Sequence, residues 1–134
     1  MSPTLSWGLG AGLVIAVVDA LTVFVSANAG PAAEMVQLVD LLANIAILSF
    51  VGLRVGRTTG VVRAAAEAGV IAGVIAGLAG LAVLYLTRPG PPPTAMEIVQ
   101  GLALNVAMGG VIAWLNGFFG ARARQAGPGP SRRR

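Results

Sequence analysis

The sequence predicts an all-α, polytopic membrane protein with four transmembrane helices in an up-down bundle. Its 134 residues are 56% hydrophobic, with a mean hydropathy of +0.83. Only 10% are charged, against roughly a quarter in an ordinary soluble domain. The apolar residues gather in four long runs, each close to the roughly 20 residues that cross a bilayer as a helix. None alternates as a barrel strand would, so helices are the only viable spanning element.

The first run covers Leu5–Val25 and the second Met35–Leu53. The third covers Ala64–Leu86 and the fourth Ile98–Phe119. With their ends, helices are expected over about 5–27, 33–54, 61–87 and 95–120, forming one transmembrane domain over 1–121. Asn28-Ala29-Gly30-Pro31 breaks the chain after the first run, and Gly56-Arg57-Thr58-Thr59-Gly60 after the second. Arg88-Pro89-Gly90-Pro91-Pro92-Pro93 ends the third, because proline removes a backbone donor and fixes φ. Thr94 with Glu97 three residues on has the spacing of a capping box opening the fourth helix. The Gly-, Pro- and Arg-rich segment 122–134 is expected to be a disordered cytoplasmic tail. Ala27-Asn28-Ala29 resembles a signal cleavage site. The first run lacks a basic leader and carries Asp19, so it is expected to be retained as a span.

The nine basic residues are all arginine, and eight of them sit on one side of the expected topology. Arg54, Arg57 and Arg63 flank the second connection, and Arg122, Arg124 and Arg132–Arg134 follow the fourth helix. Only Arg88 lies opposite. The positive-inside rule puts the Arg-rich side, and with it both termini, in the cytoplasm. All-arginine usage fits a GC-rich bacterial gene, so a bacterial cytoplasmic membrane is the expected location. These arginines line helix ends rather than a folded basic face, which argues against nucleic acid and for the lipid bilayer as partner. Trp7, Tyr85 and Trp114 stand near helix ends, where aromatic anchors are expected.

Several chemistries are excluded by residue type. There is no Cys, His or Lys, hence no thiolate nucleophile, no Cys- or His-based metal or haem ligation and no neutral-pH imidazole base. No HExxH, GxSxG or phosphate loop is present. No enzyme activity, metal or cofactor is expected.

Small residues recur at helical spacing. Gly69, Gly73, Gly77 and Gly80 on the third helix, and Gly8 and Gly12 on the first, form faces for close helix packing. They serve either the bundle interior, the favoured reading, or a self-association seam. A weak repeat pairs 11–16 with 68–73, and Glu34-Met35-Val36-Gln37 with Glu97-Ile98-Val99-Gln100. Either two helical hairpins are repeated in parallel, or apolar helices match by chance.

Asp19 and Asp40 break the apolar pattern. At 1.5 Å per residue both lie roughly 8–9 Å inside the outer boundary, on adjacent antiparallel helices. Gln37, Asp40 and Asn44 share one helix face, and Gln100 and Asn105 lie at overlapping depths on the fourth helix. Asp19, Asp40, Asn44, Gln37, Gln100 and Asn105 are therefore the candidate ion or proton site. Membrane-embedded acids face the interior, pair or carry a proton, so three roles stand open: transport, hydrogen-bonded packing, or pairing with another subunit. Glu67 sits four residues after Arg63 and is expected to pair with it.

Two function classes follow. The first is an accessory, assembly or interaction subunit of a membrane complex, with other membrane subunits or further copies as partners through the Gly/Ala faces. The alternative is a small oligomeric proton- or cation-coupled carrier or channel using Asp19 and Asp40. The length and the acid in the first helix are similar to those of small multidrug transporters, but their aromatic-rich pattern is missing. Small fluoride channels are also similar in length, yet their Asn- and Phe-rich pore motifs are absent. Neither family is assigned.

Overall fold

The computed structural model describes residues 1–87 and 90–126. Arg88, Pro89 and the segment 127–134, with its expected disorder and the topology markers Arg132–Arg134, lie outside the described residues. The described chain is helical without a strand: α1 (Pro3–Asn28), a 3-10 turn (Gly30–Ala32), α2 (Ala33–Thr59), α3 (Val62–Thr87) and α4 (Ala95–Gln125). All four helices are long and apolar enough to cross a membrane, and they pack as one four-helix bundle of a multi-pass membrane protein.

Local chemistry sets the ends. Ser2 accepts the Leu5 N–H at 3.3 Å and Pro3 opens α1, where its missing donor costs nothing. The capping box at α4 forms as expected. Thr94 Oγ1 accepts the Glu97 N–H at 3.3 Å, and Glu97 Oε2 accepts the Thr94 N–H at 2.7 Å.

Two helices run further than the apolar pattern implies. α2 does not stop at 54 but continues to Thr59 and ends on Gly60, whose φ of +73° is the left-handed cap that glycine adopts without strain. Gly56, expected in the break, is instead buried helix in contact with α4. α4 does not stop at 120 but continues to Gln125, so Arg122 and Arg124 belong to its last turn rather than to a tail. Arg124 Nη1 donates to Thr58 O at 2.6 Å, satisfying an orphan carbonyl at the end of α2.

The helices meet through small residues. On the α3–α4 seam, a Cβ added to Gly69 would strike the Gly109 carbonyl, and one added to Gly73 the Asn105 carbonyl. A Cβ added to Gly77 would come within 2.8 Å of Leu102 Cδ1. On the α2–α4 seam, Gly52 lies against Ala113, Gly56 against Gly117, and Gly120 against Leu53. On the α1–α3 seam, Cβ atoms at Gly8 and Gly12 would come within 2.8 Å of Ala68 O and 2.7 Å of Ile75 Cβ. The expected packing glycines are thus interior to the bundle, with one correction. A Cβ added to Gly80 would meet nothing within 4 Å, so no close approach requires a glycine there. The core between the seams is correspondingly fine-grained: Ala65, Ala68 and Ala72 are fully buried, and Val51 and Val55 are the largest fully buried side chains. Lipid gives helices little hydrophobic drive to associate, so this backbone approach supplies the dispersion contact that holds them.

The two hairpins differ. α3 and α4 touch backbone to backbone, whereas α1 and α2 have no such seam. Gly10, on the α2 side of α1, meets nothing within 4 Å, and a groove of about 750 Å³ opens beside it. α1 packs on α2 and α3 and does not reach α4 among the described residues.

Gly69→Val is expected to destabilise the bundle by about 1–3 kcal/mol or more, because the facing group is backbone and cannot rotate away. Gly80→Val is expected to stay within about 0.5 kcal/mol. Reversible unfolding in mixed micelles measures both.

Candidate polar site between the first two helices

The open hairpin holds the polar residues. Helical spacing puts Asp19 and Thr22 on one face of α1, three residues apart, and Asp40 and Asn44 on one face of α2, four apart. Antiparallel pairing then crosses them. Asn44 Nδ2 donates to Asp19 Oδ1 at 2.9 Å, and Thr22 Oγ1 donates to Asp40 Oδ1 at 2.8 Å. Each acid therefore accepts a hydrogen bond from the opposite helix, and all four groups are part-buried.

Both carboxyl groups also line one cavity of about 230 Å³. Asn44 and Asn105 add polar atoms to it, while Ile15, Leu48 and Met108 form apolar wall. α3 contributes only Gly73 and Ala76, so the α3 backbone borders the cavity where larger side chains would fill it. Ile15 and Leu48 are buried at 3% and 4% exposure, and the alanine core continues beyond them toward the Arg-rich end. On the other side, Asp19 and Asp40 line a hollow of about 420 Å³ with Thr22, Ser26, Ala27 and Gln37. The acids thus stand between the cavity and the α1–α2 turn end of the bundle.

One acceptor in this arrangement is unmet. Asn44 Oδ1 is buried and makes no hydrogen bond, while the amide nitrogen of the same side chain is committed to Asp19. Ser26 Oγ, at the rim of the outer hollow, is likewise buried without a partner. A buried unmet acceptor costs about 1–3 kcal/mol, and a donor beside Asn44 Oδ1 relieves that cost.

Five of the six candidate residues border one or other space: Asp19, Asp40, Asn44 and Asn105 the cavity, Gln37 the outer hollow. Asn105 returns its amide to its own helix, Nδ2 donating to Gly101 O at 3.0 Å. Gln100 is the exception. It is exposed and lines neither space, because five residues of helix turn it about 140° away from Asn105. Thr22 was not among the candidates. Its signal was a hydroxyl inside an apolar span, one turn after an acid.

The Arg63–Glu67 pair forms as the spacing implies, Nε to Oε1 at 2.9 Å, on an exposed surface remote from the site.

A double-mutant cycle between Thr22→Val and Asp40→Ala should return a coupling of about 0.6 kcal/mol, the usual scale for interhelical hydrogen bonds in membranes. Gln100→Leu should leave stability within about 0.5 kcal/mol. Both follow from unfolding midpoints in the same detergent. No family model, curated protein or solved structure matches the chain, so its chemistry is argued from this geometry alone.

Proposed function

We propose that this is a protein of a bacterial cytoplasmic membrane that takes up a proton at Asp19, acting as a small proton- or cation-coupled carrier or channel. The observation that carries the reading is the unmet Asn44 Oδ1 beside an acid already bonded to the same amide. A proton on Asp19 supplies the missing donor. Acid and amide then bond twice, O–H to Oδ1 and N–H to carboxyl oxygen. Among the described residues no basic side chain lines this site: α2 contributes Asp40 and Asn44, α3 only Gly and Ala, and α4 Asn105 and Met108. A proton or small cation is the charge that fits there.

Orientation supports access from outside. Arg54, Arg57, Arg63, Arg122 and Arg124 gather at one end of the bundle, which the positive-inside rule assigns to the cytoplasm. Both termini are then cytoplasmic, and the hollow holding Gln37 and Ser26 faces outward.

The crossed hydrogen bonds favour a second reading, an accessory or assembly subunit. Thr22–Asp40 and Asn44–Asp19 already give each acid a structural task in tying α1 to α2.

Proteoliposomes loaded with a pH-sensitive dye separate the two. The carrier reading expects acidification above empty vesicles under an imposed proton gradient. Asp19→Asn and Asp40→Asn are expected to lose at least about tenfold of it, the scale of removing one proton-transfer group, with helical content unchanged by circular dichroism. Flux no greater than that of empty vesicles rejects this reading. Stoichiometric co-purification with other membrane subunits in mild detergent, without flux, supports the second.

A further inference from the structure

We propose that the open groove between α1 and α2 at the Arg-rich end binds one acyl chain of an anionic phospholipid, with the lipid phosphate held at Arg54. This site is separate from the acid cavity and does not depend on the proton reading.

The groove is apolar along its length. Ala11 and Val14 line it from α1, and Ala46, Ile47, Phe50 and Val51 from α2. From Ser6 to Val14 it runs about 12 Å along the helix axis. The absence of a side chain at Gly10 keeps it open, since a Cβ there would touch nothing within 4 Å. Groove and acyl chain match in chemistry, because the one polar side chain lining it, Ser6, returns its hydroxyl to Pro3 O at 3.1 Å.

The end of the groove is different. Trp7 and Phe50 line it and pack edge to face, with ring centroids 5.8 Å apart. The Arg54 guanidinium sits over both rings, 5.8 Å from each centroid. Arg54 is exposed and has no acidic partner among the described residues. The Trp7 indole N–H donates no hydrogen bond among the described residues either, so a cation and a neutral donor stand on adjacent side chains at this end of the groove. Of the neighbouring arginines, Arg63 is held by Glu67, Arg124 by the Thr58 carbonyl and Arg122 by the Phe118 ring at 4.4 Å, while Arg57 is exposed one turn on but neither lines the groove nor stacks on its rings. Guanidinium over aromatic faces, with its N–H edge free, is a ready phosphate donor.

Charge also argues against a second copy as occupant. Two copies in one membrane present the same end to each other, so Arg54 would face an Arg-rich surface. The acid at that end, Glu67, is already held by Arg63. An anionic headgroup meets that charge where another copy repeats it.

The test uses the full chain purified in mild detergent, supplied with either phosphatidylglycerol or phosphatidylcholine, and read by native mass spectrometry. One phosphatidylglycerol should be retained in about fivefold or greater preference over phosphatidylcholine. Arg54→Gln should erase the preference. Gly10→Leu, which fills open space without striking the fold, should remove retention of both lipids. Arg63→Gln should leave retention and preference unchanged, and circular dichroism checks that each variant folds. Equal retention of the two lipids by the native chain overturns the proposal, as does a preference that survives Arg54→Gln. A lipid-free dimer that Gly10→Leu converts to monomer also overturns it and assigns the groove to a second copy.

Discussion

Backbone contact along α4 sets the geometry of the rest of the bundle. One of its faces lies on α3 through Gly109 and the next on α2 through Ala113, Gly117 and Gly120. A Cβ added at Gly109 or Gly120 would strike the carbonyl of Gly69 or Leu53, and one added at Gly52 or Gly56 the carbonyl of Ala113 or Gly117. Between lipid-immersed helices the gain comes from dispersion, which falls steeply with any gap, so contact is close or it contributes little. α2, α3 and α4 therefore form a tight trio. α1 joins it through Gly8 and Gly12 on α3 and leaves its α2 side unfilled.

The polar site is a consequence of that unevenness. A seam of glycines between α1 and α2 would leave no space for two carboxylates, a threonine and an asparagine. The gap admits them, and their crossed hydrogen bonds bridge it. Such bonds are individually weak in membranes, about 0.6 kcal/mol on average, so α1–α2 is held less firmly than α3–α4. Low-stability contacts are where proteins move. A rearrangement that re-exposes the cavity would separate α1 from α2 and leave the α3–α4 hairpin intact. The unmet Asn44 Oδ1 sits on that α1–α2 boundary, on the same side chain that bonds Asp19, so a donor gained there would bear on the contact between the two helices.

The spans were legible because apolar runs of bilayer length have one reading, and the capping box at Thr94 was legible because its two bonds need that spacing. The residues from Gly56 to Gly60 were harder. Glycine serves both close packing and left-handed caps, and sequence does not say which glycine does which: here Gly56 packs and Gly60 caps. The same ambiguity explains Gly80, which continues a small-residue series on α3 at a position where an added Cβ would meet open space. Gly52 and Gly56, with Gly109, Ala113 and Gly117, carried the same four-residue spacing but were not singled out. Depth placed Asp19 and Asp40 together correctly, since on antiparallel neighbours depth decides contact. It misplaced Gln100, where rotation about the helix decides. The pairing of Asn44 with Asp19, and of Thr22 with Asp40, needed the interhelical rotation that only packing fixes.

Charge at the two ends of the bundle has two independent causes that agree. α2 and α4 begin at the same end, with Glu34 and Glu97 in their first turns, and finish together with Arg57, Arg122 and Arg124 in their last. Each residue sits where the helix dipole favours it, by about 0.3–1 kcal/mol apiece. α1 and α3 run the other way and carry no acidic residue in the first turn and no basic residue in the last. The dipole thus accounts for Arg57, Arg122 and Arg124 but not for Arg54, which precedes the last turn of α2 and sits above Trp7 near the start of α1, or for Arg63 in the first turn of α3. Those two oppose the local N-terminal dipoles, and what they share with the others is the side of the membrane. Arg63 in particular follows the general gathering of basic residues on one side of membrane proteins rather than any helix dipole. Asp19 and Asp40 lie toward the opposite end of the bundle, and the hollow they line with Thr22, Ser26 and Gln37 opens between them and the α1–α2 turn.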